Sequence, residues 1–129
     1  MPPAPVICIV DDDESVRNAI SRFVRSYGYV AYTFSSAPEF LKSPRIDTTS
    51  CVIADVQMPI MNGVELQDVL RNQGRRLPII FITAFPEDAI QARVQRAGAV
   101  CYLTKPVDGP TLIKHIQGAI GKSGGGNEK

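Results

Sequence analysis

The feature that most narrows the fold is an alternation, repeated along the chain, between short apolar runs and segments of helical period. Val6–Val10 (VICIV) is apolar without interruption, as a strand buried on both faces should be. The acidic stretch Asp11–Glu14 then suits a helix N-terminus. Val16, Ala19, Ile20, Phe23, Val24 and Tyr27 follow on one stripe until Gly28 stops it. The same reading predicts further strands at Tyr29–Phe34, Cys51–Asp55, Pro78–Thr83 and Ala99–Thr104. Helices are expected at Ala37–Lys42, Gly63–Asn72, Glu87–Ala97 and Gly109–Ile120. Five strand–helix units in alternation imply an α/β fold, a parallel sheet with helices on both faces, because right-handed crossovers are nearly obligatory.

At 129 residues the chain fits one domain. The pattern assigns it residues 6–120, with a disordered Pro-rich lead-in at 1–5 and a flexible tail or linker stump at 121–129. A net charge of +1 gives no electrostatic mark of a nucleic-acid or membrane binder. No apolar run approaches the ~20 residues needed to cross a bilayer. The start MPPAP lacks a signal-peptide pattern, and three cysteines, an odd number, argue for reduced thiols in a cytoplasmic setting. With no Cys-x-x-Cys pair and one histidine, zinc is disfavoured.

In such a sheet, ligands bind at the carboxyl ends of the strands. There the sequence puts Asp11 and Asp12 after the first strand and Asp55 at the end of the third. Thr83 ends the fourth, and Thr104 and Lys105 the fifth. Carboxylates this close raise each other's pKa, and a hard divalent cation relieves the repulsion. Mg²⁺ typically takes one or two carboxylates, a carbonyl and waters. Such a cluster with a lysine and a hydroxyl suits phosphoryl transfer, and without a Ser–His or Cys–His pair the nucleophile is a carboxylate. Taken singly, each Asp and Thr83 reads as a helix cap and Lys105 as a solvated loop residue. It is their joint placement that points to a site.

Val10–Glu14 (VDDDE), Asp55–Gly63 (DVQMPIMNG), Ile82–Ala84 (ITA) and Leu103–Pro106 (LTKP) resemble the motifs of response-regulator receivers, in order, over roughly Val6 to Ile120. Within that family the chain looks most like the FixJ-type transcriptional regulators. The resemblance implies a flavodoxin-like, doubly wound five-stranded sheet of order 2-1-3-4-5 flanked by five helices. It implies a two-component signalling domain, not an enzyme in the usual sense, that takes a phosphoryl group from a sensor histidine kinase and switches an output surface. Asp55 matches the phosphoacceptor and Asp12 the direct metal ligand. Asp11 matches the neighbour holding a metal-bound water, and Gln57 the residue whose backbone carbonyl completes a Mg²⁺ site that also accepts Mn²⁺. Lys105 matches the lysine that pairs with the phosphoryl oxygens, Thr83 the hydroxyl that moves to the phosphoryl group, and Tyr102 the aromatic that turns inward. Met58, Pro59 and Gly63 match the loop that shapes the mouth. The Lys105–Pro106 peptide is expected to be cis, and phosphorylation is expected to favour a homodimer through helix 4, strand 5 and helix 5. No direct contact of this domain with nucleic acid or membrane is implied.

Two other α/β readings compete. An aspartyl phosphatase carries a second Asp two residues after its nucleophile, where Gln57 stands, and a flavin module needs a Ser/Thr/Gly-rich loop where this chain has DDDE. A receiver-like module unable to accept phosphate is disfavoured because Asp12, Asp55, Thr83 and Lys105 are all present. Phe85 departs from the family by putting an apolar ring at the pocket rim. Cys8, Cys51 and Cys101 read as buried thiols at similar depth below the site. His115 reads as a surface residue, and Arg71, Arg75 and Arg76 as solvated residues around the end of the third helix.

Overall fold

The computed structural model describes residues 3–125. Its strands are β1 (Val6–Val10), β2 (Val30–Phe34), β3 (Cys51–Asp55), β4 (Ile79–Thr83) and β5 (Cys101–Thr104). Its helices are α1 (Glu14–Ser26), α2 (Ala37–Lys42), α3 (Gly63–Asn72), α4 (Asp88–Arg96) and α5 (Gly109–Gly125). The strands form one five-stranded sheet of order β2-β1-β3-β4-β5, and every pairing is parallel.

The sheet divides the core in two. Ile7, Ile9, Ile53, Ile80 and Ile82 point to the face covered by Ile20 and Val24 of α1 and Leu112 and Ile116 of α5. Val10, Val52, Ala54 and Phe81 point to the other, against Phe40 of α2, Leu66 and Leu70 of α3 and Val94 of α4. Both faces are buried, so β3 and β4 read as continuous apolar runs without alternation.

Local chemistry sets the element ends. Asp13 caps α1, its Oδ1 accepting the Ser15 amide at 2.9 Å and the Val16 amide at 3.4 Å, so the acidic run divides into two loop aspartates and a cap. Gly28, at φ +91°, carries the chain away from the end of α1. Asn62 and Glu65 form a reciprocal capping box at the start of α3. A side chain on Gly63 would sit 2.6 Å from the carbonyl oxygen of Asp55, so α3 can begin this close beneath β3 only with glycine there.

Several boundaries differ from the sequence expectation. β2 starts at Val30, β4 at Ile79 and β5 at Cys101, and α4 covers Asp88–Arg96. An unanticipated 3-10 helix spans Pro44–Thr48, capped by the Ser43 hydroxyl, which accepts the Arg45 amide at 3.0 Å. α5 continues to Gly125, so residues 121–125 of the expected tail are helical, while 126–129, with residues 1 and 2 of the lead-in, lie outside the described residues. Among the described residues no helix is long and apolar enough to cross a membrane.

Candidate functional site

Parallel register carries β1, β3, β4 and β5 to a common edge, with Val10 beside Ala54, Asp55 beside Ile82 and Thr83 beside Thr104. Asp11, Asp55 and Thr83 are buried there, Lys105 is half-buried and Asp12 faces solvent. Lys105 reaches back over the edge, its Nζ 3.0 Å from Asp11 Oδ2 and 3.2 Å from Asp55 Oδ2. The turn that places it includes a cis Lys105–Pro106 peptide. Backbone amides hold the other carboxylate oxygens: Asp13 N–H donates to Asp11 Oδ1 at 2.8 Å and Gln57 N–H to Asp55 Oδ1 at 3.1 Å.

One carboxylate oxygen from each of Asp11, Asp12 and Asp55 lies within 4.8 Å of the others. Three carboxylates therefore meet one ammonium. Burial pushes the Asp55 carboxyl above its ordinary range, and the neighbouring Asp11 adds to this; Lys105 and the Gln57 amide pull the other way without cancelling it. Burial also disfavours the Lys105 ammonium, but contact with Asp11 and Asp55 outweighs that and raises its pKa. Asp11 Oδ2 is buried and accepts no directed hydrogen bond, its only compensation being the ion pair to Lys105. An all-oxygen donor set, an excess of negative charge and an oxygen lacking a hydrogen bond together fit a hard divalent cation.

The hydroxyl of Thr83 does not face the carboxylates. It donates to Gln57 Oε1 at 2.7 Å and accepts the Phe85 amide at 3.1 Å, and Gln57 Nε2 lies 3.5 Å from the Phe85 carbonyl oxygen. This closed ring was missed from sequence, where Gln57 enters the site only through its backbone carbonyl. The signal was available: Gln57 and Phe85 each stand two residues past the end of a strand, and β3 and β4 are neighbours. The Phe85 ring is 70% exposed at the rim and Ile60 is 87% exposed in the loop opposite. Ile60 has φ +73°, a left-handed conformation that strains a β-branched residue. Tyr102 is half-buried, and its hydroxyl accepts the Glu87 amide at 3.1 Å, just before α4 begins. A cleft of about 480 Å³ adjoins the site between the Val56–Asn62 loop and Glu87 and Ile90.

The residues held back from the site lie apart from it. Cys8 packs on the α2–α3–α4 side of the sheet, and Cys51 and Cys101 on the α1–α5 side. Burial pushes the Cys51 thiol up to about 12 and that of Cys101 to about 11. His115 lies half-buried on α5, by a groove at the opposite end of the sheet that Arg71, Arg75 and Arg76 also line.

Residues 7–117 match the family model described as the response regulator receiver domain. The response regulator protein TodT of Pseudomonas putida is 39% identical over 117 residues, covering 91% of this chain and 52% of TodT. The transcriptional regulatory protein FixJ of Azorhizobium caulinodans is 28% identical over 95% of this chain and 58% of its own length. The chain spans about half the length of the curated relatives it matches. Among solved structures, FixJ-N superposes with a TM-score of 0.82 at 30% identity, covering 93% of this chain and 95% of that one. The response regulator StyR gives a TM-score of 0.88 at 34% identity, covering 97% of this chain and 63% of StyR.

Proposed function

We infer the function from one premise: the chain belongs to the response regulator receiver domain family. That family is a signalling domain of two-component systems, not a classical enzyme, and two of the relatives, TdiR and FixJ, are named as transcriptional regulatory proteins. Within it, this chain accepts a phosphoryl group on Asp55 from a sensor histidine kinase in the cytoplasm and thereby changes the surface it offers an output. The phospho-accepting unit is residues 6–120.

The observation that carries this reading is the placement of Lys105 between two buried carboxylates, one of which follows β1 and the other ends β3. A carboxylate oxygen of Asp55 attacks the phosphorus of a phosphohistidine; the new P–O bond forms as the P–N bond breaks, and the imidazole leaves with the electron pair. Lys105 is within reach of both Asp55 and the oxygens of an incoming phosphoryl group, where it offsets their charge. Asp11, Asp12, Asp55 and the backbone carbonyl of Gln57 would hold Mg²⁺ or Mn²⁺, Asp12 directly and Asp11 through water. The ion, when bound, supplies neutralising charge beside the phosphoryl oxygens. Once phosphorylated, Asp55 draws the Thr83 hydroxyl away from Gln57, and Tyr102 releases the Glu87 amide and turns inward. Helix α4, β5 and α5 then present a changed face, suited to homodimerisation.

Acetyl phosphate in place of the kinase tests the chemistry. Labelling of the wild type is expected to need Mg²⁺ and to fall by about one to two powers of ten in Lys105→Ala, the scale of one lost electrostatic contact. Equal labelling rates in the presence of a chelator, or in Lys105→Ala, would contradict the assignment.

A further inference from the structure

At the end of the sheet remote from Asp55, a groove of about 1220 Å³ runs between the loop after α3, the loop before β5 and one side of α5. Arg71, Arg75, Arg76, Lys114 and His115 line it, and no Asp or Glu does. Arg75 is already paired, at 2.9 Å, with Asp47 outside the groove. Among the described residues the other four make no ion pair and no side-chain hydrogen bond. In a chain of net charge +1, this concentration of positive charge is local and is balanced elsewhere on the surface.

Apolar residues make up much of the remaining lining, among them Leu70, Leu77, Pro78, Ala99 and Val100. Gly118 of α5 also lines it, although a helix-interior glycine weakens a helix. A Cβ there would meet nothing within 4 Å, so no neighbour in this chain requires the missing side chain. The groove is thus cationic at its rim, apolar within, and kept open along α5.

We propose that this groove docks an acidic, amphipathic segment of a partner protein. Carboxylates of the segment pair with Arg71, Arg76 and Lys114, and its apolar side chains settle on Leu77 and Val100 in the space over Gly118. Charge complementarity selects the acidic partner and apolar burial holds it. A nucleic acid fits less well. Apart from the half-buried His115 the lining has no aromatic side chain on which a base could stack, and the chain lacks the overall positive charge that gathers a polyanion. None of the groove's lining belongs to the Asp55 site itself.

The test uses the full chain and a fluorescent peptide of Leu-Glu-Glu repeats, with a Leu-Gln-Gln peptide and a short duplex DNA as competitors. Wild type is expected to bind the acidic peptide saturably, with amide resonances of Leu77, Val100 and Gly118 shifting most. Arg71→Glu/Arg76→Glu/Lys114→Glu and, separately, Gly118→Leu are each expected to weaken binding about tenfold or more, while Arg22→Glu on α1 leaves it unchanged. Gly118→Leu keeps every rim charge and improves helix propensity, so it decides the matter if the triple variant fails to fold. Absence of saturable binding, equal binding by wild type and Gly118→Leu, or displacement of the peptide by duplex DNA more readily than by Leu-Gln-Gln would each overturn the proposal.

Discussion

Gln57 and Phe85 stand two residues beyond Asp55 and Thr83, at the mouth through which water would approach a phosphoryl group. The Phe85 ring is left free in solvent, and the Gln57 amide is occupied by the Thr83 hydroxyl. Neither side chain is set to orient a hydrolytic water, and the ring is expected to obstruct its path. Phe85→Ala and Phe85→Glu are both expected to shorten the lifetime of the phosphorylated protein, Glu by about tenfold, the worth of one well-placed contact. Decay followed after donor removal checks this; identical lifetimes in all three proteins would contradict it. The cysteines give a second residue-scale expectation. With Cys51 and Cys101 buried and their pKa values pushed to about 12 and 11, native protein at neutral pH is expected to resist iodoacetamide until it is unfolded. Alkylation of the folded protein, read by mass, would contradict that. Asp11, Asp12, Asp55, Thr83 and Lys105 were legible in the sequence because each apolar run ends where a polar residue begins, and parallel strands carry those ends to one edge. The bond between Thr83 and Gln57 was not read, although the strand order implied by the motif resemblance already set β3 beside β4.

Helix α4 is the loosest of the long elements. Val94 is its only buried residue, and Glu87 at its start makes no side-chain cap. Its ties to neighbours are few: Gln67 Nε2 donates to the Val94 carbonyl at 3.1 Å, Arg93 pairs with Asp68 at 2.8 Å, and the Tyr102 hydroxyl accepts the Glu87 amide. By contrast α3 buries Val64, Leu66 and Leu70 under a full capping box. Native-state hydrogen exchange is expected to show α4 amides opening at lower free energy than those of α3, as suits an element that shifts in a switch. Equal protection would contradict this. Helix α5 depends on Asp108, whose Oδ2 accepts the Thr111 amide at 2.9 Å and the Thr111 hydroxyl at 2.6 Å. These bonds lower the Asp108 pKa from its ordinary 3.8, so the cap's contribution is complete above that value and is lost as pH falls through the lowered one. Asp108→Ala is therefore expected to reduce the urea midpoint at pH 7, and the gap from wild type should close in strong acid. A gap that widened in acid would contradict the sign. The order and type of these elements could be read from hydrophobic period, but not the 3-10 helix at Pro44–Thr48. Its single turn is fixed by Ser43 and Pro44 and buries only Ile46, too little to leave a periodic signal.

At the scale of the whole molecule, alternation alone implied parallel strands and helices on both faces, while the strand order came from the motif resemblance. The observed order puts β1 and β3 side by side, which is what brings Asp11 and Asp55 onto one lysine. The switch is expected to reach the face of α4, β5 and α5. Sedimentation with and without a stable phosphoryl mimic should show a larger mass with it, and equal masses would remove the proposed dimer. All of this rests on one carboxylate being the acceptor, and intact mass after incubation with acetyl phosphate and Mg²⁺ tests that most directly. The wild type should gain a single phosphoryl group and Asp55→Asn none, with the modified peptide containing Asp55. Stoichiometric labelling of Asp55→Asn at another residue would contradict the account.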